Sequence, residues 1–252
     1  MQFLAIIPAR YASTRFPGKP LALLGGEPIV QHVYRRAASV FERVAVATDD
    51  ERIADAVAAF GGQAVMTSDK HRSGTDRAYE AFVKLGADAD VVVNIQGDEP
   101  FVHTSQLQAI KSLFDSPETD IATLVKPFPA DTSWEVLNNP NSPKVVLAAD
   151  GTALYFSRSV IPFLRGIPPT EWTSRHTYYK HIGLYAYRAA SLQRITALNA
   201  GVLEQAESLE QLRWLENGLR IRTAVTHIET IGIDTPQDLT RAQQFLEDSA
   251  AS

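Results

Sequence analysis

Apolar residues follow two rhythms along the first half of the chain. Short, nearly unbroken apolar runs lie at Phe3 to Ile7, Arg43 to Thr48, Ala64 to Thr67 and Val91 to Gln96, and runs of that length mark strands covered on both faces. Between them apolar positions recur at helical spacing: Ile29, Val30, Val33, Ala37, Val40 and Phe41 after Pro28, then Ile53, Val57 and Phe60 after Asp50. Pro28 is expected in the first turn of its helix, Asp50 as an N-cap, and Gly61-Gly62 as a helix stop. A third helix is expected to open within Arg72 to Thr75 and to continue through Ala78, Phe82 and Leu85. Such alternation predicts an α/β chain on a mostly parallel sheet with right-handed crossovers.

The second half changes character. Val145 to Ala148 and Thr152 to Phe156 flank an Asp150-Gly151 turn and read as an antiparallel hairpin, and the aromatic-rich run from Tyr178 to Tyr187 reads as another strand. Helical spacing returns at Leu209, Leu212 and Leu215, and again at Leu239, Ala242, Phe245 and Leu246. No internal repeat and no low-complexity linker divides the 252 residues. Either one domain with a mixed sheet or a ligand-binding core carrying a smaller lobe is expected.

Composition narrows the class. Hydrophobic residues make up 45% and charged residues 21% of the chain, ordinary values for a globular protein. The formal net charge of −5 speaks against a general nucleic-acid or anionic-membrane binder, so any phosphate affinity must be local. Without cysteine there are no disulfides, thiolate metal sites or cysteine nucleophile. The first strand follows Met1 directly and no apolar run is long enough to span a bilayer, so a cytoplasmic protein without membrane insertion is expected.

Candidate chemistry begins where the first strand ends. Pro8 to Pro20 reads Pro-Ala-Arg-Tyr-Ala-Ser-Thr-Arg-Phe-Pro-Gly-Lys-Pro. Pro8 removes a backbone donor and is expected to take the chain out of the sheet. Ligands of open α/β sheets collect at the carboxyl edge, which puts Arg10, Arg15 and Lys19 over a crevice suited to a polyphosphate. This is not a P-loop, because Ser13 stands where a glycine is needed and Pro20 where a hydroxyl is needed. A dinucleotide fingerprint is also missing. Lys19 is expected at the surface.

Two aspartates qualify as metal ligands. Asp98 sits in the Gly97-Asp98-Glu99-Pro100 turn after an apolar strand, and Asp234 ends the run Ile231 to Ile233 before Thr235-Pro236. Taken singly, Asp98 serves equally well as a turn residue and Asp234 as a capping residue. Their occurrence with a cationic loop favours a phosphate-bound Mg²⁺, which prefers carboxylate oxygens. Likewise Ser73 and Gly74 can cap a helix or present free amides to an acceptor.

These motifs, together with His71 to Arg77, Asn94 to Pro100, Tyr155 to Arg158, His181 to Arg188, Leu209 to Arg213 and Ile233 to Pro236, resemble in order the sugar nucleotidyltransferases that activate 3-deoxy-manno-octulosonate (Kdo). Phe163 to Arg175 and Asn199 to Leu203 depart from that pattern, the latter lacking a Pro-Ser pair before its Leu-Glu. The resemblance implies a Rossmann-like nucleotidyltransferase core, about residues 1–125 and 220–248, carrying a sugar-binding and dimerisation lobe at about 126–219, in a homodimer. It implies CTP and Kdo as substrates, CMP-Kdo and pyrophosphate as products, and a place in lipopolysaccharide synthesis. It assigns Asp98 and Asp234 to Mg²⁺, and Lys19, Arg10 and both aspartates to catalysis. Nucleotide contacts carried over are Pro8, Ala9, Arg10, Arg15, Lys19, Arg72, Ser73, Gly74, Arg77, Gln96 and Asp98. Sugar contacts carried over are Gln96, Arg158, His181, Tyr185, Glu210 and Gln211; by residue type an arginine suits the acid's carboxylate and the others its hydroxyls. A nucleotidyltransferase for a related acid sugar is the nearest alternative, and a non-catalytic CTP-sensing module would need no pair of aspartates.

Overall fold

The structure is a computed structural model that describes residues 1–71, 73–86, 88–229 and 231–250. It divides into two compact units, residues 1–108 with 230–252, and residues 109–229.

The first unit opens with β1 (Phe3–Ala9), whose Leu4, Ala5, Ile6 and Ile7 are at most 1% exposed. A two-residue hairpin follows, β2 (Leu23–Leu24) and β3 (Glu27–Pro28), turned by Gly25 and Gly26 at φ of 59° and 86°. That hairpin corrects the expected start of the next helix. Pro28 is drawn into β3 with extended backbone, so it precedes α1 (Ile29–Ala38) as N-cap and does not fill its first turn. Then come β4 (Arg43–Thr48), α2 (Glu51–Ala59), β5 (Ala64–Met66), α3 (Gly74–Lys84) and β6 (Val91–Asn94). Asp50 caps α2 as expected, accepting the Arg52 amide at 3.0 Å. Gly61, at φ 80°, ends it, with the Gly62 amide returning to the Val57 carbonyl.

The four strands lie in the order β6-β1-β4-β5 and every pairing is parallel. This places β1 centrally, with its carboxyl end beside that of β6. Pro8 does not take the chain out of the sheet: it stays in β1 in register with Ala47. β6 pairs β1 only from Phe3 to Ile6 and ends at Asn94, so the missing donor falls where that partner has stopped.

α4 (Thr104–Ser112) carries the chain from one unit to the next. The second unit contains β7 (Ile121–Pro127), α5 (Trp134–Leu137), β8 (Lys144–Leu147), β9 (Ala153–Ser157), α6 (Trp172–Arg175), β10 (Tyr179–Arg188), α7 (Ala189–Thr196), α8 (Val202–Glu207), α9 (Glu210–Glu216) and β11 (Ile221–Val225). β11 is parallel to β7, β7 antiparallel to β10, and the β8–β9 hairpin adds antiparallel to β10. β7 and β11 belong to this unit. Gly151, at φ 80°, forms the hairpin turn together with Asp150, which accepts the Thr152 amide. The departing segment Phe163 to Arg175 supplies Leu164, Ile167 and Trp172 to an apolar cluster with Leu137 and Tyr178.

The chain returns to the first unit as α10 (Pro236–Ala250). Leu239, Ala242 and Leu246 pack with Leu24, Ile29 and Ile233, which fixes the start of this helix on the core.

Candidate active site

A cleft of about 260 Å³ lies in the first unit, lined by residues from the end of β1, the loop after it, the start of α3, the turn after β6 and the approach to α10. Pro8, Ala9, Arg10, Arg15, Lys19, Ser73, Gly74, Arg77, Gln96, Asp98 and Asp234 all line it. The sequence-derived nucleotide and metal candidates therefore share one cavity, except Arg72, which lies outside the described residues. Gly97 lets the walls meet, since a Cβ there would come within 2.6 Å of the Pro8 carbonyl oxygen.

The cationic loop is folded around Tyr11. The Tyr11 carbonyl accepts the amides of Ser13 and Gly18 at 2.9 Å, and the Arg52 guanidinium lies 3.4 Å over its ring centroid. Gly18 adopts φ 70° and packs its α-carbon side against that ring. The chain then enters a single 3₁₀ turn, Lys19–Leu21, which points Lys19 inward. Its side chain is only 12% exposed, so the expected surface lysine is an interior one.

Lys19 Nζ donates to Asp98 Oδ2 at 2.6 Å and to Asp234 Oδ1 at 3.2 Å, and Arg15 Nη2 meets the same Asp234 oxygen at 3.1 Å. Two carboxylates and two cations thus alternate in one chain of contacts. Their main chains are joined as well, because the Ile233 amide donates to the Asp98 carbonyl at 2.9 Å. Asp234 is held from behind by Asp238, whose Oδ2 accepts the Thr235 hydroxyl at 2.8 Å and the Thr235 and Asp234 amides at 2.9 and 3.2 Å. The Thr235 hydroxyl, followed by backbone amides, holds the Asp238 carboxyl below its ordinary value. Thr235, rather than Asp234, caps the helix, with the Asp238 amide returning to Thr235 Oγ1 at 3.2 Å.

At the α3 end, Ser73 caps the helix through the Asp76 amide at 3.1 Å. Arg77 lines the cleft, yet its guanidinium is buried and committed to Thr67 Oγ1 at 2.6 Å and Asp49 Oδ2 at 2.9 Å, so it braces the wall. His71, which residue type alone did not single out, also lines the cleft. Its Nε2 bonds Glu80, which further accepts the Ser68 amide at 2.9 Å and pairs Lys84 at 2.7 Å. Burial opposes ionisation of Glu80, but the Lys84, Ser68 and His71 hydrogen bonds outweigh it and bring its pKa down to about 2. Ser13 and Thr14 complete the polar lining; their position inside the cationic loop was the available signal.

The sugar candidates lie in the second unit. Arg158 does not present its guanidinium for a carboxylate. Nε, Nη1 and Nη2 donate to the carbonyls of Glu207, Pro140 and Ser208 at 2.6, 2.9 and 3.2 Å, while the Glu207 carboxylate takes the Arg158 amide at 2.8 Å. His181 is enclosed between Phe156 and Tyr185, bonded at Nε2 to Thr123 Oγ1 at 3.2 Å. Burial pushes its pKa down to about 3, so it is a neutral hydrogen-bonding group. Tyr185 stacks on Tyr187 and meets the Trp214 edge at 5.0 Å. Burial likewise raises its phenol well above the ordinary value. Glu210 pairs Arg213 at 2.9 Å.

Within this group Tyr185 Oη, Gln211 Nε2 and Trp214 Nε1 are buried without a hydrogen-bond partner among the described residues. Each such donor costs about 1–3 kcal/mol unless something outside the protein satisfies it. Trp214 was not a sequence candidate, because an indole at helical spacing reads as core.

Known proteins similar to this chain identify its family. A family model described as Cytidylyltransferase matches residues 4–221. The 3-deoxy-manno-octulosonate cytidylyltransferase of Bacteroides thetaiotaomicron is 63% identical over 98% of this chain and 99% of its own length. That of Porphyromonas gingivalis is 58% identical over 97% and 96%. A solved CMP:2-keto-3-deoxy-manno-octonic acid synthetase complexed with CTP superposes with a TM-score of 0.90 at 41% identity, covering 99% of this chain and 100% of that one. A glucose-1-phosphate thymidylyltransferase from Bacillus anthracis shares the fold at a TM-score of 0.66 and 17% identity over 98% of this chain and 96% of that one. By the family model and by relatives of this identity and coverage, this chain belongs to the family of the 3-deoxy-manno-octulosonate cytidylyltransferases.

Proposed function

We propose that this protein transfers CMP from CTP to Kdo, releasing pyrophosphate. The observation that carries the reading is the meeting of Lys19 and Arg15 with Asp98 and Asp234 inside one cleft. The anomeric oxygen of Kdo attacks the α-phosphorus in line, its bond to phosphorus forms as the bond to the β-phosphate bridge breaks, and the hydroxyl proton is released. Arg10, Arg15 and Lys19 hold the β- and γ-phosphates and stabilise the charge that grows on departing pyrophosphate. Ser73, Gly74 and Gln96 hold the nucleoside.

Asp98 and Asp234 fit a magnesium ion by donor chemistry, being two carboxylates close enough to share one cation. When bound, magnesium supplies charge neutralisation at the phosphates and a lower pKa for the incoming hydroxyl. Glu99 and Asp238 need take no part, Asp238 being engaged behind Asp234.

For the sugar we propose His181, Tyr185, Glu210 and Gln211 as hydroxyl partners, supported by the unpartnered Tyr185 and Gln211 donors. Arg158 acts by shaping the segment that bears Glu207 and Ser208. A homodimer working in the cytoplasm, at the step that activates Kdo for lipopolysaccharide, completes the reading and rests on the family. The test is pyrophosphate release from CTP with Mg²⁺ and a panel of acid sugars, with product mass measured and sedimentation run in parallel. CMP-Kdo as the favoured product is expected; release with a related acid sugar but none with Kdo would overturn the substrate.

A further inference from the structure

We infer that Lys19 is a resident counter-ion that keeps the aspartate pair closed to free divalent cations, so that the cleft accepts its metal only as a complex with a nucleoside triphosphate. This rests on the metal reading proposed above and concerns how that same site is filled. Lys19 Nζ contacts both candidate ligands, Asp98 Oδ2 at 2.6 Å and Asp234 Oδ1 at 3.2 Å, and Arg15 shares the latter oxygen at 3.1 Å. The four side chains carry two positive and two negative charges, so the cluster is neutral by itself. The lysine is the deepest of the four, at 12% exposure against 31% for Asp98, 46% for Asp234 and 66% for Arg15.

A divalent cation seeks those same oxygens at about 2.0–2.1 Å, closer than the ammonium stands. Both cations cannot occupy them without strong mutual repulsion in a partly enclosed cleft. A free metal ion must therefore eject Lys19 from its two partners and leave the cluster with excess positive charge. A free triphosphate has the opposite difficulty, since it enters beside two carboxylates. Arriving together, the pair cancels both imbalances: the phosphates offer Lys19 and Arg15 a new anion while the carboxylates receive the metal. The 3₁₀ turn that starts at Lys19 and the glycine before it give the side chain its place between the two sets of partners.

The experiment measures Mn²⁺ binding by electron paramagnetic resonance without nucleotide, on wild type, Lys19→Met and Lys19→Arg, with circular dichroism to verify folding. Methionine keeps most of the stem and removes the charge; arginine keeps the charge. Lys19→Met is expected to bind Mn²⁺ about tenfold or more tightly than wild type, within the usual range for two ligands that oppose each other. Lys19→Arg is expected to stay near wild type, and Lys19→Met with Asp98→Asn to lose the gain. Equal Mn²⁺ affinity in wild type and Lys19→Met, with CTP still promoting Mn²⁺ binding in wild type, overturns the counter-ion role and leaves the metal reading intact. Absence of Mn²⁺ binding in every protein with or without CTP overturns both.

Discussion

The amide of Ile233 donates to the carbonyl of Asp98 at 2.9 Å, tying the turn after β6 to the approach to α10. Asp234 is the next residue, so both carboxylates are mounted on a shared main-chain bond as well as on Lys19. The main chains that carry the two aspartates are therefore tied by a bond that neither aspartate side chain makes.

That arrangement makes asparagine a clean probe. Asp98→Asn and Asp234→Asn preserve shape and leave the Ile233 bond in place, so circular dichroism and melting should change little. Turnover should fall by about a hundredfold or more, the scale of losing one charge-stabilising group, with partial recovery at high Mg²⁺. Near-normal CMP-Kdo synthesis by either variant at limiting Mg²⁺ would return that aspartate to a turn or capping role.

Arg158→Lys tests whether this arginine binds sugar or shapes its loop. A lysine cannot reach the carbonyls of Pro140, Glu207 and Ser208 together. The expected result is a lower melting temperature, corresponding to about 1–3 kcal/mol for carbonyl hydrogen bonds lost, with CTP affinity by calorimetry unchanged. Full stability combined with a large rise in KM for Kdo would instead restore Arg158 as a carboxylate ligand.

Glu80 links stability to acid. Its pKa is brought down to about 2 from 4.5, so it stabilises the fold above pH 4.5 and that contribution is lost as pH falls from there toward 2. Melting of Glu80→Gln should lie below wild type at pH 7, and the two curves should converge below pH 4.5. A difference independent of pH would show that the carboxylate charge is not what Ser68, His71 and Lys84 require.

His181 acts in the same direction over a higher pH window and for a different cause, burial of the imidazole rather than pairing of a carboxylate. Burial depresses its pKa from 6.5 to about 3, so below pH 6.5 the unfolded chain takes up a proton that the folded chain refuses. Stability is then lost as pH falls through that window, by at most about 1.4 kcal/mol per pH unit. His181→Gln should flatten the melting curve between pH 6.5 and pH 3 relative to wild type. An unchanged slope would mean that the imidazole is hydrated in solution.

Local chemistry made much of the fold legible. Asp50, Gly61 and the Thr235 to Asp238 cap act through neighbours a few residues away, and the apolar runs of β1, β4 and β6 are long enough to announce buried strands. The two prolines misled for a common reason: whether Pro8 leaves a strand or Pro28 enters a helix depends on what lies alongside, here the end of β6 and the Gly25-Gly26 hairpin. The site was legible as residue types, and its assembly came from family resemblance, since Lys19 meets partners 79 and 215 positions away. Arg158 shows the limit of residue type. An arginine advertises donors but says nothing of the three carbonyls that take them.

Gly97 bears on how the cleft pre-pays for its chemistry. Where it meets Pro8 the wall consists of two main chains with no room for a side chain between them, a Cβ standing only 2.6 Å from the Pro8 oxygen. Main-chain dipoles there have no rotamers to lose, so a ligand reaching that wall meets groups whose ordering was completed on folding. Selection can retune the surrounding arginines and serines one by one, whereas this stretch of wall changes only if a strand end moves.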